Sequence, residues 1–161
     1  MNEQDLTALV NRSLFADLGY ADPQGRMQIR RVFCTWHKGL ERHLISTNTS
    51  SGHVKGLLRR PDACLYFADS EVFEGLCLTG RAVVHRETEW KQLLWHEQDV
   101  KYYPLGVNDP DYCVIEFIAE SASYYRFDGK GELTKEKIAA SAADAVFEDG
   151  YARLMKGGKA P

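Results

Sequence analysis

From residue 26 to residue 127 the chain reads as many short extended runs with turn signals and short helices between them, without a regular βαβ alternation. That pattern predicts a β-barrel or sandwich with helical accessories. Residues 26–35 alternate with period two: Met27, Ile29 and Arg31 share one face, and Gln28, Arg30 and Val32 the other. Asp22-Pro23-Gln24-Gly25 before this run and His37-Lys38-Gly39 after it carry turn chemistry. Residues 42–48 return as an extended run, so 26–48 is predicted to be a hairpin. Further strands are expected at 63–69, at 73–86 with a bulge or close approach at Gly80, and at 112–119 and 122–127.

Helical spacing occurs in four places. Leu6, Leu9, Val10 and Leu14 predict an amphipathic helix over 3–15. Val54, Leu57 and Leu58 stripe a helix over 52–60, with Ser51 as N-cap and Pro61 limiting its end. Trp90, Leu93 and Leu94 mark a helix over 88–98. In the tail, after Gly129-Lys130-Gly131, a helix over about 134–156 is capped by Thr134 and stopped by Gly157-Gly158. Its stripe of Ile138, Ala142, Ala145 and Val146 reads as a docking surface. The 161 residues make one domain, with the body in 1–127 and a C-terminal helical extension in 128–161.

The net charge of −3 conceals an asymmetry. Residues 1–60 hold nine Lys and Arg against five Asp and Glu, whereas 61–161 hold eleven against eighteen. The basic half suits an anionic ligand, or simply a solvated face. Four cysteines, Cys34, Cys64, Cys77 and Cys113, each lie in an apolar stretch without CxxC spacing, so buried free thiols are expected and no metal site. No apolar run approaches the ~20 residues of a membrane span, and the polar start carries no secretory signal. The expected location is the cytoplasm.

Chemistry concentrates in Ser46-Thr47-Asn48-Thr49-Ser50-Ser51-Gly52-His53-Val54-Lys55. A phosphate needs several donors converging without bulk. Hydroxyls, the Gly52 amide, a helix N-terminus and a cation such as Arg30 make such a set. A capped loop-to-helix joint accounts for the same residues. His37, His43, His85 and His96 are scattered and read as solvated or hydrogen-bonded. Glu116 and Glu120 read as solvent-facing strand residues. There is no P-loop, no GxGxxG and no Ser-His-Asp arrangement.

Several ordered elements together resemble the FMN-binding split-barrel proteins of the pyridoxamine 5′-phosphate oxidase-like superfamily, in particular its general-stress-protein-like members. These are Arg30-Arg31-Val32, Thr47 to His53, Arg60-Pro61 to Phe67, Gly80-Arg81-Ala82, Leu94-Trp95 and the loop Tyr103 to Tyr112. The resemblance implies a mainly β fold, a six-stranded split β-barrel of Greek-key type with accessory helices, including the C-terminal one. It implies FMN, bound in a groove between the protomers of a homodimer. The cofactor-binding set it implies is Arg30, Arg31, Val32, Thr47, Asn48, Ser51, Gly52 and His53, with Trp95 or Tyr103 covering the ring from the partner chain.

Two departures shape the expectation. The family's phosphate-binding Lys is His53 here, which offers one donor when neutral and must be imidazolium to supply charge. Thr35-Trp36 stands where true pyridoxamine-phosphate oxidases place a Lys, and no C-terminal Arg-x-His element follows Arg126. The expected function is an FMN-dependent oxidoreductase acting on another small molecule. Catalytic residues are not legible, and neither a metal nor nucleic acid nor a membrane is expected as partner. A non-catalytic flavin-binding stress protein and a haem-binding or haem-degrading split barrel, with His96 as the residue to watch, are the alternatives.

Overall fold

Asp22 starts the sheet. In the computed structural model, which describes residues 3–34 and 36–149, its Oδ1 accepts the amides of Gln24 and Arg26 at 2.9 Å each. Gly25 takes the φ of +84° that closes the turn. β1 (Phe15–Ala21) and β2 (Met27–Phe33) leave this turn as antiparallel partners, with Phe15 opposite Phe33 and Ala21 opposite Met27. The hairpin predicted over 26–48 is therefore corrected, because β2 pairs backward with β1. A separate hairpin follows, β3 (Trp36–Lys38) with β4 (Arg42–Asn48), turned at Gly39. The Asp22 turn is locked by side-chain bonds and aligns β2 against β1 instead of β4.

The remaining elements are α2 (Gly52–Arg59), β5 (Asp62–Asp69), β6 (Glu74–His85), α3 (Thr88–Leu94), β7 (Tyr112–Arg126), β8 (Gly129–Leu133), α4 (Lys135–Ala142) and β9 (Glu148–Asp149), with α1 (Glu3–Arg12) opening the chain. The sheet runs β2-β1-β5-β6-β7-β4-β3-β9, with β8 also on β7. Six strands, β2 to β4 in that order, curl into a half-barrel, and its two ends approach without pairing. This is the mainly β split barrel with accessory helices. Gly129-Lys130-Gly131, expected to open the tail, belongs to β8.

The two strands expected at 112–119 and 122–127 are one. Thr79 faces Ser121 and Gly80 faces Ala119, so Glu120 is the extra residue of a β-bulge. Gly80 is required there: a Cβ would strike the Ile118 carbonyl oxygen and lie 2.9 Å from Ala119 Cα.

Inside the barrel Leu18, Leu65, Phe67, Leu76, Leu78, Ile115 and Phe117 are fully buried. Leu6, Leu9 and Val10 of α1, Val54 and Leu57 of α2 and Ile138 of α4 complete this core. A second, smaller core lies on the outer side of β4 and β7, where Leu44, Leu94 and Val114 meet Trp36, Trp90 and Phe147. Glu116, expected to face solvent, is buried beside it. It pairs with Arg42 and sits 3.2 Å from His85 Nε2, while Trp90 stacks on His85 at 4.0 Å. The strand's outer face is covered by α3 at this point, which period-two reasoning alone does not show.

Helix lengths are corrected as well. α1 stops at Arg12 rather than residue 15, because Phe15 already pairs with Phe33. α3 stops at Leu94: the Asp99 carboxylate accepts the His96 amide at 2.9 Å and turns Glu97–Lys101 into a 3₁₀ helix. α4 ends at Ala142 instead of 156, leaving Ala145 and Val146 off the helix. The chain then reaches the open edge of β3, whose backbone groups β9 pairs, and Phe147 is carried into the small core. The expected stop at Gly157-Gly158 lies outside the described residues.

Gly80→Ala is expected to lower stability by about 3 kcal/mol, since backbone and not a movable side chain blocks the new methyl. Urea unfolding checks this: the midpoint falls while the slope is unchanged.

Candidate cofactor site

At the end of β4 the chain turns through Thr49 and Ser50 into α2. Asp111, just ahead of β7, holds this turn. Its Oδ1 accepts the Ser50 amide at 2.8 Å, its Oδ2 accepts Asn48 Nδ2 at 3.1 Å, and its carbonyl accepts the Thr49 amide at 2.7 Å. Ser51 is the N-cap residue, and its hydroxyl donates to the Asn48 carbonyl at 2.7 Å. The first intrahelical bond runs from Lys55 N to Ser51 O. The amides of Gly52, His53 and Val54 therefore precede the helix ladder, at its positive end. Nothing lies within 4 Å of where a Gly52 Cβ would be, so the space over this end is open.

His53 is buried beneath that opening. Its Nε2 is 2.7 Å from Thr47 Oγ1 and 3.3 Å from Ser51 Oγ, while Nδ1 is buried with no hydrogen-bond partner. Burial first, and the positive charge of Arg30 second, hold the imidazole down at about 4. The imidazolium needed to supply charge is thus replaced by a neutral ring at neutral pH. The charge comes from Arg30, which is exposed and has no ion pair among the described residues.

Period two separates the neighbours of Arg30. Arg31 points to the opposite face and forms a two-point pair with Asp17, at 2.9 and 3.1 Å. Val32 shares Arg30's face, and its side chain enters the core. The structure thus gathers Arg30, Thr47, Ser51, Gly52 and His53, uses Asn48 as a strut, and commits the side chains of Arg31 and Val32 elsewhere.

Trp95 and Tyr103 pack with Tyr112 in their own chain. Tyr112 lies 5.4 Å from Trp95 and 4.8 Å from Tyr103 between ring centroids. Tyr103 is buried, and burial chiefly pushes its phenol up to about 12; its neighbour Tyr102 is the exposed ring. Tyr112 stands opposite Asn48 in the β4–β7 ladder, so within its own chain this trio packs beside the end of β4.

Sequence reasoning missed Asp111, Asp109 and Lys91. Asp109 accepts the amides of Leu105 and Asp111, and the buried Lys91 ammonium donates to the Asp109 carbonyl at 3.1 Å. The Asp-Pro-Asp spelling of a side-chain-capped turn was the available signal. Among the described residues no group of three or more His, Cys, Asp and Glu could hold a metal ion.

The model of the family described as pyridoxamine 5′-phosphate oxidase like matches residues 9–146. The chain belongs to the pyridoxamine 5′-phosphate oxidase-like family. No curated protein matches its sequence. Among solved structures, a Clostridium acetobutylicum protein related to general stress protein 26 of Bacillus subtilis is 33% identical, with a TM-score of 0.75 over 86% of this chain and 99% of that one. An FMN-binding protein related to pyridoxamine 5′-phosphate oxidase from Nostoc punctiforme is 12% identical, with a TM-score of 0.61 over 81% and 82%. A heme-binding protein from Mycobacterium smegmatis is 16% identical, with a TM-score of 0.64 over 83% of this chain and 60% of that one. The last two share the fold.

In this member of the oxidase-like family the joint fits a phosphate monoester. Arg30 would give a fork of donors, the start of α2 its amides, and the open space at Gly52 room for the anion. His53 is a neutral wall carrying an unused ring nitrogen.

That nitrogen has a consequence for stability. His53 titrates lower in the folded chain than near 6.5 in the unfolded one, so the unfolded state binds more protons between those values. Stability therefore falls as pH drops from about 6.5 towards 4. Calorimetry should show His53→Gln taking up fewer protons on unfolding at pH 5 than the parent, with the remaining slope owed to groups such as His43, held near 3 by burial and by His37.

Proposed function

We propose that this chain binds FMN at the β4–α2 joint and works as a flavin-dependent oxidoreductase on a small molecule other than pyridoxamine phosphate. The observation that carries this is the convergence of the unpaired Arg30 guanidinium and the open start of α2, with Asp111 locking the turn between β4 and the helix. FMN when bound supplies hydride or electron transfer. The protein's share is to hold the phosphate through Arg30 and the amides of Gly52, His53 and Val54, and to exclude water on the side walled by His53 and Thr47. No side chain at the joint is placed as an acid or base, so turnover rests on the cofactor. Bound FMN without NAD(P)H-dependent reduction would assign a flavin-binding protein without catalysis.

The same reading makes the chain a homodimer. Met27, Ile29 and Phe33 project from the outer face of β2 at 75, 80 and 50% exposure, with Phe15 packed 4.9 Å from Phe33. An apolar row of this kind, next to a groove at the barrel's split, suits a two-fold seam that shares a flavin. No helix among the described residues is long and apolar enough to cross a membrane.

One observation favours haem as a second reading. A groove of about 220 Å³ outside β4 is walled by Phe33, Trp36 and Tyr102, and His96 also lines it. A Soret band on haem titration, lost in His96→Ala, would move the assignment there.

Three outcomes are expected. Arg30→Ala weakens FMN about ten- to hundredfold in a fluorescence-quenching titration, the usual effect of losing a charge-assisted bond. His53→Lys strengthens FMN binding by restoring a fixed charge. Ile29→Lys shifts sedimentation to the monomer and lowers FMN affinity with it; a dimer that survives this change has its seam elsewhere.

A further inference from the structure

Three aromatic rings, Phe33, Trp36 and Tyr102, line the groove of about 220 Å³ outside β4. Backbone pairing places each of them. Trp36 stands opposite Leu44 in the β3–β4 ladder, and Phe33 opposite Phe15 at the end of β2. The Tyr102 amide donates to the Asp99 carbonyl at 2.9 Å, where the 3₁₀ helix ends. Leu44 and Leu94, which belong to the small core, line the same groove. Phe33 and Tyr102 remain 50 and 66% exposed, so both keep ring surface in water.

The chain already shows what such a ring attracts. The Lys101 ammonium lies 4.9 Å from the centre of the Tyr102 ring, inside the ~6 Å over which a ring face draws a cation. The groove carries negative charge as well. Asp99 lines it, with Oδ2 accepting the His96 amide at 2.9 Å. Asp149 of β9 comes within 4.0 Å of His96 Nε2, and His96 is another lining residue.

Ring faces and carboxylates together suit an organic cation. Size and hydrogen bonding narrow the class. The space is smaller than the ~300–1,000 Å³ of a drug-sized site, so the occupant is small. A primary ammonium brings three N–H donors, which rings and leucines leave unanswered at a cost in free energy. A quaternary ammonium has no donor to satisfy, and its methyl groups suit the leucine side chains.

We propose that Phe33, Trp36 and Tyr102 form an aromatic cage for a small quaternary ammonium ion, with Asp99 as its countercharge. Lys101 occupies the face of Tyr102 until the ligand takes it. Phe33 also ends the apolar row of β2, so the cage opens beside the face assigned to the two-fold seam.

The test is calorimetric titration of the full chain, at constant ionic strength, with choline and with its neutral carbon isostere, in which a tert-butyl group replaces the trimethylammonium. Choline is expected to bind about tenfold more tightly than the isostere, because only the charge differs. Tyr102→Leu, a change at an exposed ring, should remove most of that preference. Lys101→Ala, which vacates the face of Tyr102, should strengthen choline binding and leave the isostere unmoved. Trp36→Leu should abolish choline binding; if that variant fails to fold, the Tyr102 and Lys101 variants decide. Equal affinity for the two compounds, no saturable binding of choline, or a Lys101→Ala chain that binds choline no better would each overturn the cage. FMN at the β4–α2 joint is titrated separately, so neither result decides the other.

Discussion

β7 pairs with β6 along one edge and with β4, then β8, along the other, and its register sets the position of almost everything else. A slip of one residue would turn Ile115 and Phe117 out of the barrel and Glu116 into it. Its first residues matter most for the site. Tyr112 opposite Asn48 brings Asp111 against the Ser50 amide, and through it fixes where α2 begins. The bulge at Glu120 lets the strand bend with the barrel where its far edge passes from β4 to β8, while the ladder to β6 continues on either side.

The site's electrostatics follow from what is buried and what is paired. Arg31 is spent on Asp17, whereas Arg30, one residue earlier and on the other face, keeps its charge available. Burial first, and that charge second, keep His53 neutral near neutral pH. His53 is here a hydrogen-bonded wall, and the open charge beside it belongs to Arg30.

Much of this was legible in the residues. The alternation of 26–33 sorted Arg30 from Arg31 correctly, Gly80 marked a real bulge, and Thr47 to His53 marked the joint. What was not legible was pairing. Whether β2 turns back to β1 or forward to β4 is decided by the bonds of Asp22, and both turns looked equally good in one dimension. Glu116 read as exposed because a strand's outer face looks solvated until a helix covers it. The tail helix was drawn too long because an Ala-rich stripe continues past Ala142, whereas the open edge of β3 claims the next residues. Asp111 escaped notice because its work is done across the 61 residues that separate it from Ser50.

β2 closes one end of the sheet, and among the described residues only β1 pairs with it. Its free edge carries backbone donors and acceptors beside Met27, Ile29 and Phe33, which makes it a template onto which a foreign strand could grow. Arg26, Arg30 and Arg31 sit along the same strand or its turn, and charges there disfavour edge-to-edge stacking of copies. A row of cations thus guards the open edge of β2, and neutralising them would be read first as a loss of solubility.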